Sequence, residues 1–167
     1  ATKQVLECGH RDITFFCGRI KDNGVMKKRL AGYRDALAEY GVEFHPELLF
    51  EGDIDYSDGI ESANRLMDSQ TRATAVVAAA DILAIGAAKA FYERGVCVPD
   101  DISLMGFDDL EISQYLTPGL STVRQQISLK GEKAVELLIR NISEPELTKQ
   151  ELILPVTLVE RGSVKRV

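Results

Sequence analysis

Asp81, Asp108 and Asp109 stand at the ends of two apolar runs, and Arg29 opens an amphipathic stretch far upstream of them. A carboxylate accepts hydrogen bonds in pairs and a guanidinium donates them in a fork. Arg29 with Asp108 therefore suits the vicinal hydroxyls of a small polyol. Rival chemistries need more than these residues supply. The Asp108-Asp109 pair could hold Mg²⁺ for phosphoryl transfer. That reaction also wants a nucleophile or a phosphate-clamping lysine, and Lys89 is placed in mid-helix. His10 and His45 are far apart in sequence, and His10 precedes a strand on the opposite edge from Asp81 and Asp108. Neither G-x-G-x-x-G nor a Walker lysine occurs. The residues point to binding, with no catalytic residue, metal or cofactor assigned.

These residues are positioned by a strand–helix–strand unit from Thr74 to Asp109. Ala75 to Ala78 is apolar without alternation, which suits a strand buried on both faces. Asp81 reads as the N-cap of a helix from Ile82 to Arg94, closed by Gly95 and barred from extension by Pro99. Leu83, Ala87, Ala90 and Phe91 form the stripe laid on the sheet. Ile102 to Phe107 is the second strand. In an open parallel sheet, ligands bind at the carboxyl ends of the strands, where both sets of acids fall.

The remaining chain alternates in the same way, predicting an α/β, three-layer, doubly wound parallel sheet. Ala1 to Glu7 reads as the tail of a helix capped by Gly9, without an N-cap signal or initiator methionine, and is expected to continue a longer polypeptide. Ile13 to Cys17 is a strand, Arg19 to Met26 a loop, and Lys27 to Tyr40 a helix stopped by Gly41. Leu48 to Phe50 is a short strand, and Ser57 or Asp58 caps a helix to about Asp68. After Asp109 come a helical turn, a strand from Ser121 to Gln125 and a helix from Ser128 to about Asn141. A loop from Ser143 to Lys149 leads to a last strand, Leu152 to Val159, in which Pro155 marks an edge or bulge.

The net charge of −6 argues against a phosphate-binding surface on this segment. Three cysteines, Cys8, Cys17 and Cys97, cannot all pair and form no C-x-x-C pattern, so a reducing cytoplasm is the expected compartment. Cys17 is expected buried as a small hydrophobe. No apolar run of about eighteen residues occurs, so no membrane partner is expected.

Several spaced motifs, in one order, resemble the lactose-repressor/galactose-repressor (LacI/GalR) family of transcription regulators. They are CGHRDITFFCG at Cys8–Gly18, RLAGYRDALAEYG at Arg29–Gly41, EGDIDYSDG at Glu51–Gly59, LAIGAAKAFYERGVCVPDDISLMGFDD at Leu83–Asp109, and YLTPGLSTVRQ at Tyr115–Gln125. The resemblance implies a Rossmann-like subdomain of the type I periplasmic-binding-protein kind. Residues 1–167 would be the C-terminal effector-binding and dimerisation subdomain. A helix-turn-helix head and most of a first effector subdomain would lie outside it. It implies that Arg29 and Asp108 contact the effector, with Ile54, Tyr56, Ala80 and Asp81 around it. Ala80 replaces an asparagine and Ile54 an aromatic found in many sugar-responsive members. The implied effector is therefore a sugar, a sugar phosphate or a purine, or the partner is a phosphoprotein corepressor. Operator DNA would be reached only through the missing head.

A second helical stripe, Ile85, Ala88 and Tyr92, is separate from the one on the sheet. By resemblance it is the homodimer face, together with Tyr115 and Leu116. The helix at 128–142 is implied to cross back to the first subdomain. Without that partner it is expected to fold over its own sheet or to pack on a second copy. Two other readings share parts of the pattern: a periplasmic-type sugar-binding protein of a transporter, and a Mg²⁺-dependent phosphatase-like enzyme. Unpaired cysteines and the YLTPGLSTV motif favour the regulator.

Overall fold

The computed structural model describes residues 1–20, 24–144 and 150–167. Part of the expected loop at 19–26, and most of that at 143–149, lie outside the described residues. Four strands, β1 (Ile13–Gly18), β2 (Leu49–Gly52), β3 (Ala75–Ala78) and β4 (Ser103–Met105), form a parallel sheet in the order β2-β1-β3-β4. Helices α1 (Thr2–Glu7), α2 (Val25–Glu39), α3 (Tyr56–Asp68) and α4 (Asp81–Glu93) cover its two faces.

The strands read as unbroken apolar runs because both faces are buried. Their side chains still divide by the pleat. Ile13, Phe15, Cys17, Ala75, Val77 and Met105 join α1 and α2 in one core. Phe16, Val76, Ala78 and Leu104 join α3 and α4 in the other. Tyr33 of α2 stacks on Phe15, with ring centroids 4.8 Å apart, and donates its hydroxyl to the Ile13 carbonyl at 2.7 Å. Burial pushes the Cys17 thiol up to about 12, so it packs as a neutral hydrophobe.

Helix α4 meets α3 through two glycines. A Cβ on Gly86 would collide with the Tyr56 carbonyl, and one on Gly59 with the Leu83 carbonyl. That close approach fixes where Tyr56, the first residue of α3, stands relative to α4.

Several boundaries differ from expectation. Asp55, not Ser57 or Asp58, caps α3: its carboxylate accepts from the Asp58 N–H at 2.8 Å. Helix α2 starts two residues early, with Gly24 at its N-cap. Strand β4 is shorter than the apolar run from Ile102 to Phe107.

The last two strands depart further from an all-parallel sheet. β5 (Thr122–Gln125) and β6 (Val156–Val159) form an antiparallel ribbon. It attaches to the main sheet through single parallel bridges, Met105 to Ser121 and Asp108 to Arg124. Pro155 precedes β6, consistent with its missing N–H. Between them α5 (Ile127–Ser143) buries none of its residues. The expectation that it folds over its own sheet is not met. Both faces of that sheet are already taken by α1 with α2 and by α3 with α4.

Candidate functional site

The strand order reverses between β1 and β3, and the site is built around that point. Gly18 ends β1, Ala79 and Ala80 follow β3, and Asp108 and Asp109 follow β4, all at the carboxyl edge. An open α/β sheet leaves its crevice at this topological switch.

Arg29, one turn into α2, reaches across the switch. Its Nη1 donates to the Ala79 carbonyl, and Nη2 lies 3.4 Å from Asp108 Oδ1. The guanidinium also sits 4.3 Å over the Phe107 ring, a cation–π placement. Asp108 Oδ1 further accepts from the Gln125 side-chain amide at 2.6 Å. Both charged groups are about four-fifths buried, with side-chain exposures of 19% and 24%. The result is a mostly buried donor–acceptor pair that still keeps about a fifth of each side chain exposed at the carboxyl edge.

Ile54 lies on the same edge, across from Gly18. A Cβ on Gly18 would run into the Ile54 side chain, so β1 and the 53–55 loop come together only over a glycine. Arg19 Nε and Nη2 pair with both Asp53 oxygens at 2.7 and 2.9 Å, closing that rim. Tyr56 and Ile54 are about half exposed. The structure thus brings Arg29 and Asp108 together and sets Ile54 and Tyr56 on the β1–β2 side of the edge. Below Arg29, a cavity of about 290 Å³ continues between α2 and the sheet, lined by Phe15, Tyr33, Val77, Ala79 and Phe107 among others.

Asp81 is placed differently from its expected role. Ala80 is the N-cap of α4, and Asp81 is its first residue. Its fully buried carboxylate accepts from Thr122 Oγ1 at 2.5 Å on one oxygen, and from Ser113 Oγ at 2.6 Å and the Leu110 N–H at 2.8 Å on the other. Both oxygens accept hydrogen bonds from inside the fold, so Asp81 clasps the loop after β4 and the start of β5 to α4 and does not cap the helix. Ala80 is buried as well. Sequence reasoning gave no role to Arg124, Gln125 or Arg161, and weighed Asp109 only as half of a Mg²⁺-holding pair. Asp109 is gripped by Arg161 at 2.7 Å and Arg124 at 2.6 Å. Burial would push its carboxyl up, and the two guanidiniums outweigh that, leaving it below the usual carboxylate range.

His10 sits at the opposite edge, buried, with Nδ1 2.9 Å from Thr74 Oγ1 and Nε2 3.1 Å from the Lys165 carbonyl. That carbonyl can only accept, so Nε2 carries the proton and Nδ1 accepts from Thr74. The ring pins the C-terminal segment to β3 and is remote from Arg29 and Asp108.

On the outer side of α4, Tyr92 is 84% and Tyr115 68% exposed. Ile85, Ala88, Tyr92, Leu116 and Pro118 line a groove of about 540 Å³.

Compared with known proteins, the periplasmic binding protein-like domain family matches over residues 2–164. The ribose operon repressor of Haemophilus influenzae is 37% identical over 164 residues, which cover 98% of this chain and 49% of that protein. The HTH-type transcriptional repressor PurR of Mannheimia succiniciproducens is 36% identical over 167 residues, covering 100% of this chain and 50% of its own length. The chain therefore spans about half the length of the curated relatives it matches. Among solved structures, a LacI-family regulator of Enterococcus faecium with bound ribose superposes with a TM-score of 0.88 at 28% identity, over 99% of this chain and 61% of that one.

Proposed function

Since the chain belongs to the periplasmic binding protein-like domain family, in the form carried by LacI-type repressors, we propose that it is the effector-binding and dimerisation region of a ligand-responsive transcription regulator. The observation that carries this reading is the Arg29–Asp108 pair, assembled from α2 and the end of β4 across the sheet's switch point. Asp108 accepts from ligand hydroxyls, Arg29 donates, Phe107 backs the guanidinium, and Ile54 and Tyr56 form the far wall. The ligand is a sugar or sugar derivative, supported by the ribose bound to the Enterococcus faecium neighbour. A purine is the alternative class, supported by the similarity to the PurR repressor of Mannheimia succiniciproducens.

The exposed face of α5 would meet a second lobe outside this chain, completing the other half of the cleft. The α4 groove with Tyr92, Tyr115 and Leu116 would seat a second copy. Ligand binding that prefers one arrangement of the lobes shifts the DNA affinity of an attached head by the same factor, typically about 1–3 kcal/mol. Such a protein works in the cytoplasm, where its operator is. Among the described residues no helix is long and apolar enough to cross a membrane.

A thermal-shift screen of the intact regulator against sugars, sugar phosphates and purines, repeated on Asp108→Asn, tests this. A hit whose stabilisation disappears in the variant is the expected outcome. A hit that survives in Asp108→Asn places the site elsewhere.

A further inference from the structure

Asp109 has no place in the ligand site as described, because both its oxygens are occupied. Oδ1 takes Arg161 Nη2 at 2.7 Å and Oδ2 takes Arg124 Nε at 2.6 Å, leaving the side chain 8% exposed. Its backbone is unusual. Asp109 sits at φ 54 and its neighbour Asp108 at φ 121, two consecutive side-chain-bearing residues in a region that favours glycine. Such a pair persists only when its surroundings over-determine it.

The surroundings are specific. The Asp108 N–H donates to the Val123 carbonyl at 2.9 Å, and the Asp109 N–H reaches Thr122 Oγ1 at 3.3 Å. Arg161 is itself anchored, donating from Nη1 to the Leu120 carbonyl at 2.7 Å and from its backbone to Ser121 Oγ at 2.9 Å. Arg124 belongs to β5, and Arg161 follows β6 by two residues. These are the strands by which the chain leaves for α5 and returns from it.

We propose that Asp109, clamped by Arg124 and Arg161, is the positioning residue that holds Asp108 in its strained backbone and ties the ligand edge to both strands flanking α5. This rests on the reading of Asp108 as a ligand contact. Asp109 touches no ligand itself. A movement of β6 reaches Asp108 through Arg161, Asp109 and one peptide bond, and a ligand pulling on Asp108 reaches β6 by the same route. β5 also touches Asp108 directly, through the Val123 carbonyl and Gln125. Such a clamp differs from general core packing because its effect is confined to one loop.

The test uses no ligand, so it can fail while the ligand reading stands. The readouts are amide exchange at Asp108 and the Nε–H resonance of Arg29, followed by NMR in the protein and its variants. Arg161→Met removes one arm of the clamp from a position distant in sequence. Asp109→Asn removes the charge while keeping a residue that tolerates the left-handed region. Both are expected to speed exchange of the Asp108 amide at least tenfold and to shift the Arg29 resonance, with Phe16 and Val77 in the sheet changed less than twofold. Arg161→Lys, which keeps the charge, is expected to retain most of the protection. Should Asp109→Asn fail to fold, Arg161→Met and Arg124→Met carry the measurement. Unchanged Asp108 exchange in Arg161→Met overturns the proposal, and so does a rise shared equally by Phe16 and Val77.

Discussion

Arg29 is fixed before any ligand arrives, by the Ala79 carbonyl, the Asp108 carboxylate and the Phe107 ring. A preformed donor costs little to organise on binding, so its removal should fall on affinity. Hydrogen bonds to charged groups contribute about 1.5–3 kcal/mol. Arg29→Met is therefore expected to weaken effector binding by roughly ten- to a hundredfold in calorimetry, without a matching loss of thermal stability. His10 makes a separate prediction. Its burial holds the imidazole below the ordinary histidine range, a shift that hydrogen bonding to the Lys165 carbonyl only partly offsets. A base with a depressed folded pKa contributes stability that is complete above its unfolded value, about 6.5, and is lost as pH falls below it. Urea midpoints should thus decline from pH 7 toward 5, and His10→Gln should flatten that slope while lowering the pH 7 midpoint. Arg29 and Asp108 were legible because each stands at a junction that topology sends to one edge. Asp81 was not, since the N-cap preference is local while its partners Ser113 and Thr122 lie 32 and 41 residues on.

Helices α3 and α4 show what pattern reading leaves out at the scale of elements. Their apolar stripes were visible, but the contact itself depends on Gly59 and Gly86, where backbone meets backbone. A glycine inside a helical stretch looks like a weakness in the sequence, and only the packed pair shows its use. Gly86→Ala gains helix propensity yet drives a methyl into the Tyr56 carbonyl, and overpacking of this kind costs about 1–3 kcal/mol. The net expectation is a lower unfolding midpoint in urea. Because Tyr56 heads α3, its environment beside the ligand edge should change too, read as a shift in tyrosine fluorescence. A variant as stable as the parent, with unchanged emission, would show that the helices part without cost. The cap of α3 was displaced in the reading for a related reason. Asp53, Asp55 and Asp58 lie within six residues, and any of them suits an N-cap by type. The antiparallel ribbon β5-β6 was illegible for another reason: the direction of β6 is set by the return from α5, a connection no local window contains.

At the scale of the whole molecule, two exposed apolar surfaces among the described residues predict different behaviour. The α4 groove offers Ile85, Ala88 and Tyr92 beside Leu116. Tyr92→Asp is expected to weaken self-association of the intact regulator, seen as a rise in the dimer dissociation constant by sedimentation. The α5 surface is larger in consequence, because nothing in the described chain covers it. Val135, Leu138, Ile139 and Ile142 are 56%, 60%, 59% and 70% exposed. Each large aliphatic gains about 1.5–3 kcal/mol on full burial, so a face of this kind favours any partner that covers it. A charge at its centre acts on that partnership and not on the fold of the chain. Leu138→Asp should leave the unfolding free energy of this chain within about 0.5 kcal/mol of the parent, as surface changes do, while reducing its association in light scattering at high concentration. In a longer chain that supplies a second lobe, the same substitution should instead destabilise, because Leu138 is then buried and an unpaired carboxylate is costly there. Equal effects in the short and long chains would mean that α5 meets the same surroundings in both, and the two-lobe arrangement would have to be abandoned.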